Sequence, residues 1–141
     1  MKIRTATMED RENIFNEFCK KSKYVYDFTN KISYSNEEVF RKGWVLVAEE
    51  AGKLLGFISF RHKVRSPEST LYFLMTSEEA RGKGIAKALM EAMMESSQHT
   101  KMRLNVMKNN NALGFYLKQG FDIVETPPHG KWSILEKEFA K

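Results

Sequence analysis

Residues 70–94 constrain the fold most tightly, because a strand-like run, a glycine-bearing turn and an amphipathic helix follow one another with no spacer between them. Thr70-Leu71-Tyr72-Phe73-Leu74-Met75-Thr76 is apolar at successive positions, which predicts a strand covered on both faces at the centre of a sheet. It leads into Glu79-Ala80-Arg81-Gly82-Lys83-Gly84. Ile85, Leu89 and Met93 then recur every four residues with Ala86, Met90 and Met94 beside them, predicting a helix that runs to about Ser97. Gly82 and Gly84 therefore stand where unpaired backbone N–H groups and the positive end of a helix dipole converge, an arrangement suited to a phosphate. A Cβ at either position would hold a phosphate off the backbone, and Arg81 and Lys83 add charge. Two named motifs are excluded by spacing. A dinucleotide fingerprint needs a third glycine where Lys87 stands, and a P-loop needs Ser or Thr where Gly84 stands. A plain strand-to-helix turn with glycines chosen for positive φ meets the same pattern, so the glycines alone leave both readings open.

The rest of the chain reads as one succession of short elements without repeats or low-complexity tracts. Lys2–Ala6 alternates like a strand, and Thr7 with Asp10 three residues later predicts a helix start whose buried face is Ile14, Phe15 and Phe18. Between Ser22 and Tyr34 the periodicity dissolves into Tyr24, Tyr26, Phe28 and Tyr34 among lysines; a second helix is expected after Ser35. Trp44–Glu49 and Leu54–Phe60, separated by Ala51-Gly52-Lys53, predict an antiparallel hairpin. Met102, Leu104 and Val106 alternate as a strand, Asn109–Gln119 predicts a helix closed by Gly120, and Phe121–Glu125 with Trp132–Phe139 predicts a final hairpin.

The length of 141 residues fits a single domain spanning 1–141. A balance of 42% hydrophobic and 29% charged residues is that of a folding chain rather than a disordered one. Cys19 has no partner for an internal disulfide, no leader-like segment opens the sequence, and no run approaches the roughly 20 apolar residues of a membrane-spanning helix. A cytoplasmic protein without a membrane role is expected. The net charge of +5 suits an anionic partner, yet the lysines are scattered apart from a concentration at Lys20–Lys31, so nucleic acid ranks well behind a small molecule.

Taken whole, Leu74–Met90 resembles the pyrophosphate-binding motif of the GCN5-related N-acetyltransferase (GNAT) superfamily, Arg/Gln-x-x-Gly-x-Gly/Ala at the end of a central strand. Asn109-Asn110-Asn111-Ala112-Leu113-Gly114-Phe115-Tyr116-Leu117-Lys118-Gln119-Gly120-Phe121 resembles that superfamily's later motif, Asn-x-x-Ala-x-x-apolar-Tyr-x-x-x-Gly-Phe. The resemblance implies the α/β (α+β) acyl-CoA N-acyltransferase fold, a mixed sheet of about six to seven strands flanked by about four helices. It also implies acetyl transfer from acetyl-CoA to a primary amine by direct attack, with no metal. The strand before the glycine turn would splay from its parallel neighbour to admit the pantetheine arm along Leu74, Met75 and Thr76. Arg81, Gly82, Lys83, Gly84, Ile85 and Ala86 would hold the pyrophosphate, while Asn109, Ala112, Phe115 and Tyr116 would line the cofactor arm. Tyr116 matches the tyrosine that protonates the departing thiolate. On the helix pattern alone, Tyr116 beside Phe115 also suits plain core packing.

An acceptor amine of ordinary pKa must shed a proton before it attacks, a penalty of roughly 4 to 5 kcal/mol at pH 7. Relatives often place a carboxylate on the central strand. Here Thr70 stands eleven residues before Arg81, where Glu is frequent, and Glu68 stands thirteen before, so Glu68 is the candidate base beside Glu49, His62, His129 or a water chain. Thr76 and Glu78 depart from the valine and proline usual at the strand end without removing a backbone donor. Gly114 inside a helix marks close approach of either the cofactor or another strand. The aromatic, basic stretch Tyr24–Tyr34 and the loop around His129 would line the acceptor side. Competing readings are a non-catalytic acyl-CoA binding module and an acetyltransferase for an RNA-linked amine; a monomer and a homodimer both fit.

Overall fold

The computed structural model describes residues 1–19, 38–107 and 110–139. The aromatic and lysine-rich stretch, Ser35, Lys108 and Asn109 lie outside them. Seven strands form one sheet: β1 (Lys2–Thr5), β2 (Val45–Glu50), β3 (Lys53–His62), β4 (Glu68–Thr76), β5 (Lys101–Met107), β6 (Asp122–Glu125) and β7 (Trp132–Glu138), in the order β1-β2-β3-β4-β5-β7-β6. Every neighbouring pair is antiparallel except β4 and β5. The apolar run at 70–76 thus takes the middle of the sheet, as its two-faced hydrophobicity requires.

Helix α1 (Met8–Ile14) starts where Asp10 accepts the Thr7 N–H at 2.7 Å, the expected cap. It passes into a π-helical turn over Phe15–Cys19. That turn changes which residues face inward: Ile14 and Phe18 are buried, whereas Phe15, expected with them, is 40% exposed. Ile14 and Phe18 join Ala6, Val39, Phe40, Val45, Val47 and Phe57 on one side of the sheet. Helix α2 (Ile85–Glu95) lies on the other side, burying Ile85, Leu89, Met90, Met93 and Met94 against β2, β3 and β4. Helix α3 (Ala112–Lys118) packs on β5 on that same side. It begins at Ala112 rather than at the expected 109, because the Asn110 carboxamide takes the Ala112 N–H at 2.8 Å and sets the first turn there. It ends at Gly120, φ +97°, where Lys137 donates to the Gln119 carbonyl at 2.7 Å. No described helix is long and apolar enough to cross a membrane.

Candidate active site

The site begins with an irregularity in β4. Ser59 of β3 pairs with Phe73, but its neighbour Phe60 pairs with Leu71, so Tyr72 is an extra residue on the β4 side. The inserted residue exchanges the faces: Leu71 and Leu74 pack with α2, while Phe73 and Met75 pack on the α1 side. A bulge also bends its strand. β4 pairs with β5 only from Glu68–Lys101 to Thr70–Arg103; beyond that, β4 continues to Thr76 and β5 to Met107 without pairing to each other. The two parallel strands therefore diverge at the bulge and leave a wedge open towards their C-terminal ends. Backbone N–H and C=O groups along such an edge are unsatisfied by the sheet and available to an extended ligand arm.

At the open end of the wedge, β4 runs through Ser77 and a single 3-10 turn at Glu78–Ala80 into Arg81. Ala80 is buried and anchors the turn; Lys53 binds Glu79 at 2.7 Å on the outside. Gly82 and Gly84 both lie in the left-handed region, φ +79° and +75°, so glycine is required by backbone conformation as well as by proximity to a ligand. A Cβ built on either would meet nothing within 4 Å, which means the space above the turn is free. The first backbone-bonded amide of α2 is Ala88, which donates to the Gly84 carbonyl at 3.0 Å. Among the described residues the amides of Gly82, Gly84, Ile85 and Ala86 have no backbone partner, and they converge with the positive end of a three-turn helix and the exposed Arg81 and Lys83. That set fits a diphosphate: several donors, no carboxylate among Arg81–Ala86, and room above the main chain.

Close approach is needed at a different glycine. A Cβ on Gly56 would lie 2.8 Å from the Met75 carbonyl oxygen, 3.2 Å from the Thr76 Cγ2 and 3.4 Å from the Ile85 Cγ2. Gly56 thus lets β3 press the end of β4 against the start of α2 and fixes where the glycine turn sits. An isolated glycine inside a strand run was the available signal for it. The bulge at Tyr72 has no sequence signal of comparable strength.

α3 brings Tyr116 into the core cluster that also holds Leu71 and Leu104 and against which Leu74 packs. The residue is 6% exposed, its ring edge-on to Phe115 at 5.3 Å and to Phe121 at 5.4 Å. Burial drives its phenol pKa well above the ordinary tyrosine value, so the group is a protonated donor throughout the neutral range. Among the described residues no hydrogen bond is made to its hydroxyl. Ala112 and Phe115 are half-buried on the same cluster. At Gly114 a Cβ would meet nothing within 4 Å among the described residues outside its own helix backbone, which excludes the neighbouring strand as the reason for that glycine.

Candidate bases are distributed differently. Glu68 lies at the closed end of the wedge, where strand alternation puts it on the α1 side; it is bound by Lys63 and stands 3.9 Å from the Arg103 guanidinium. Its side chain is 14% exposed. Glu49 is committed to Arg4, which holds its carboxyl below the usual range. His62 faces α2, bonded to Ser69 at 2.6 Å and Ser96 at 2.9 Å and stacked on His99. His129 bonds the Lys131 amide and packs on Trp132. Leu74, Met75, Thr76, the glycine turn and the helix carrying Tyr116 therefore surround one wedge, with Glu68 below its apex.

Comparison with known proteins agrees with this architecture. Residues 41–123 match an acetyltransferase (GNAT) domain. The chain is 39% identical over 138 residues to a 5-NmdU N-acetyltransferase from Pseudomonas phage PaMx11, covering 97% of this chain and 98% of that protein. It is 36% identical over 84 residues to the peptidyl-lysine N-acetyltransferase YiaC of Escherichia coli, a match spanning 60% of this chain and 52% of that one. The crystal structure of PaiA N-acetyltransferase from Thermoplasma acidophilum in complex with coenzyme A shares the fold at TM-score 0.73 and 24% identity, covering 98% of both chains. A splayed parallel strand pair, a free-amide glycine turn and a domain match over most of that region make one conclusion: the chain belongs to the GNAT acetyltransferase family and is an N-acetyltransferase.

Proposed function

We propose that this enzyme uses acetyl-CoA to acetylate a primary amine carried on carbon 5 of a deoxyuridine. The observation that carries the acceptor reading is the 39% identity along nearly the whole chain to a 5-NmdU N-acetyltransferase, a match that includes the early segment and the last hairpin, where the family resemblance puts acceptor choice. The shorter match to a lysine-modifying relative covers just over half of either protein and supports the shared acyl-transfer core more than the acceptor.

Acetyl-CoA supplies an activated acetyl thioester. The amides of Gly82, Gly84, Ile85 and Ala86 bind its diphosphate with Arg81 and Lys83 adding charge, and the unpaired edge of Leu74, Met75 and Thr76 holds its arm. Ala112 and Phe115 form the opposing wall, the family motif adds Asn109 as a contact of the cofactor arm, and the open space at Gly114 admits the arm close to α3. Tyr116 keeps a proton on its hydroxyl for the leaving sulfur; its raised pKa secures the protonated form. Glu68, paired with Lys63 and 3.9 Å from the Arg103 guanidinium, takes the amine proton through water, because its position below the apex and its ion pairs suit a terminal acceptor better than direct contact. The continuous sheet from β1 to β6 supports one domain over 1–141, and the single cysteine supports a reducing, cytoplasmic setting.

Two measurements test the proposal. Acetyl-CoA at one hundred times its Kd should stabilise the native state by about 2.7 kcal/mol, several degrees in Tm. Thiol release should be fastest with 5-aminomethyl-2′-deoxyuridine in a panel that includes a lysine peptide and simple alkylamines. Faster turnover of the lysine peptide, with none of the nucleoside, would overturn the acceptor reading.

A further inference from the structure

The α1 side of the sheet next to the wedge has a composition unlike the ionic surface around it. Met102, Leu104 and Val106 of β5 point into the core, so Arg103, Asn105 and Met107 alternate onto the opposite face. Arg103 is committed to Glu136 at 2.9 Å, and Lys101 lies between Glu136 and Glu138. One step further towards the mouth β5 and β7 present no charged side chain on this face, and the next charge in that row is Glu125 of β6, on the far side of Ile134. Asn105 is exposed, stands opposite Ile134 of β7, and makes no side-chain hydrogen bond with the described residues. Beyond it Met107, 49% exposed, stands directly opposite Trp132, whose ring meets His129 at 4.1 Å.

A carboxamide beside an exposed thioether and a half-buried indole has a distinct chemical complement. The side-chain amide offers one acceptor and one donor in a plane, matching the N3–H and adjacent carbonyl of a uracil ring. The two flanking side chains offer a face on which a flat ring can lie, and successive same-face residues on a strand are about 6.8 Å apart, close to the span of a pyrimidine with its substituents. A lysine side chain or simple alkylamine has neither the amide edge nor the ring. The charged residues around Arg103 are satisfied by one another and would not discriminate a neutral lactam.

Resting on the acceptor reading above, we infer that Asn105 is the residue that reads the uracil edge of the acceptor, with Met107 and Trp132 covering the ring while its amine reaches the wedge. Asn105 is thus a specificity-determining residue, separate from the groups that bind acetyl-CoA or move protons.

The test crosses enzyme and acceptor variants. Asn105→Ala is compared with the native protein on three acceptors: 5-aminomethyl-2′-deoxyuridine, its N3-methyl derivative and a simple alkylamine. Nucleoside binding to the coenzyme A-saturated protein is measured in parallel by calorimetry. One bidentate amide contact corresponds to about a 10- to 100-fold loss in kcat/KM and in affinity for the nucleoside, and N3-methylation should cost the native enzyme a similar factor. The alkylamine should stay within about twofold and Tm should not move, because the Asn105 side chain is exposed and makes no bond with the described residues. The N3-methyl nucleoside should show no difference between the two proteins. Equal losses on nucleoside and alkylamine, an unchanged nucleoside, or persistent sensitivity on the N3-methyl compound would each overturn the inference. A native enzyme that acetylates the alkylamine but neither binds nor turns over the nucleoside would instead remove the acceptor reading, and this inference with it.

Discussion

Replacing Gly56 by Ala should damage two properties at once. The added Cβ would sit 2.8 Å from the Met75 carbonyl oxygen, a backbone atom of the paired strand that cannot rotate aside. Relief requires β3 and β4 to part by a few tenths of an ångström at the Gly56–Thr76 pair. Overpacking of this kind costs about 1–3 kcal/mol, and removal of a strand glycine returns roughly 0.5–1 kcal/mol, leaving a net loss of about 0.5–2 kcal/mol. At about 2.1 cal/mol/K per residue the chain unfolds with an entropy near 0.3 kcal/mol/K, so Tm should fall by about 2–7 °C. The same displacement moves Thr76 and Ile85, which the Cβ would meet at 3.2 and 3.4 Å, and these residues flank the glycine turn. Affinity for acetyl-CoA should therefore drop as well, beyond what the loss of stability alone produces at temperatures where the variant is fully folded. Scanning calorimetry gives the first number and titration calorimetry at 15 °C the second. An unchanged Tm would refute the packing argument, and a lowered Tm with unaltered affinity would refute the link between Gly56 and the turn.

Gly114→Ala should do the reverse, raising Tm by about 2–3 °C through helix propensity while weakening acetyl-CoA binding, since beyond its own helix backbone the new methyl meets nothing within 4 Å among the described residues. Both effects are read from a melt with and without ligand. Tyr116→Phe should lower kcat by about 10²-fold with less than about 1 kcal/mol change in stability, because the lost hydroxyl has no partner among the described residues; chemical denaturation and thiol release separate the two. The raised pKa of Tyr116 makes its contribution to stability complete below the unfolded tyrosine value of about 10 and progressively lost as pH rises above it, so the alkaline decline should be shallower in Tyr116→Phe. Asp10, which Arg4 holds below the usual carboxylate range, stabilises the fold above an unfolded value near 4 and loses that contribution as pH falls towards its lower folded value. Asp10→Asn should cost about 1–3 kcal/mol at pH 7 and flatten the acid limb of an urea-denaturation series.

The sequence by itself determined what local chemistry can determine. The alternation at 101–107, the hairpin around Ala51-Gly52-Lys53, the two-faced apolar run of β4 and the four-residue spacing of α2 follow from side-chain periodicity, which acts over a few residues. Glycines at 82 and 84 announced a turn of positive φ before a helix, and the paired motifs named the family. What the tertiary structure alone decided concerns relations between distant segments. The π-helical turn that puts Phe15 outside, the Asn110 contact that delays α3 to Ala112, and the fit of Gly56 against Met75 all depend on neighbours brought together by folding. The bulge at Tyr72 is the sharpest case. No single residue type demands an extra position there; it exists because β4 must pair with β3 along its whole length while leaving β5 after Thr70. A wedge between two strands is a property of their pairing, and pairing across the chain is invisible to any window of sequence short enough to read.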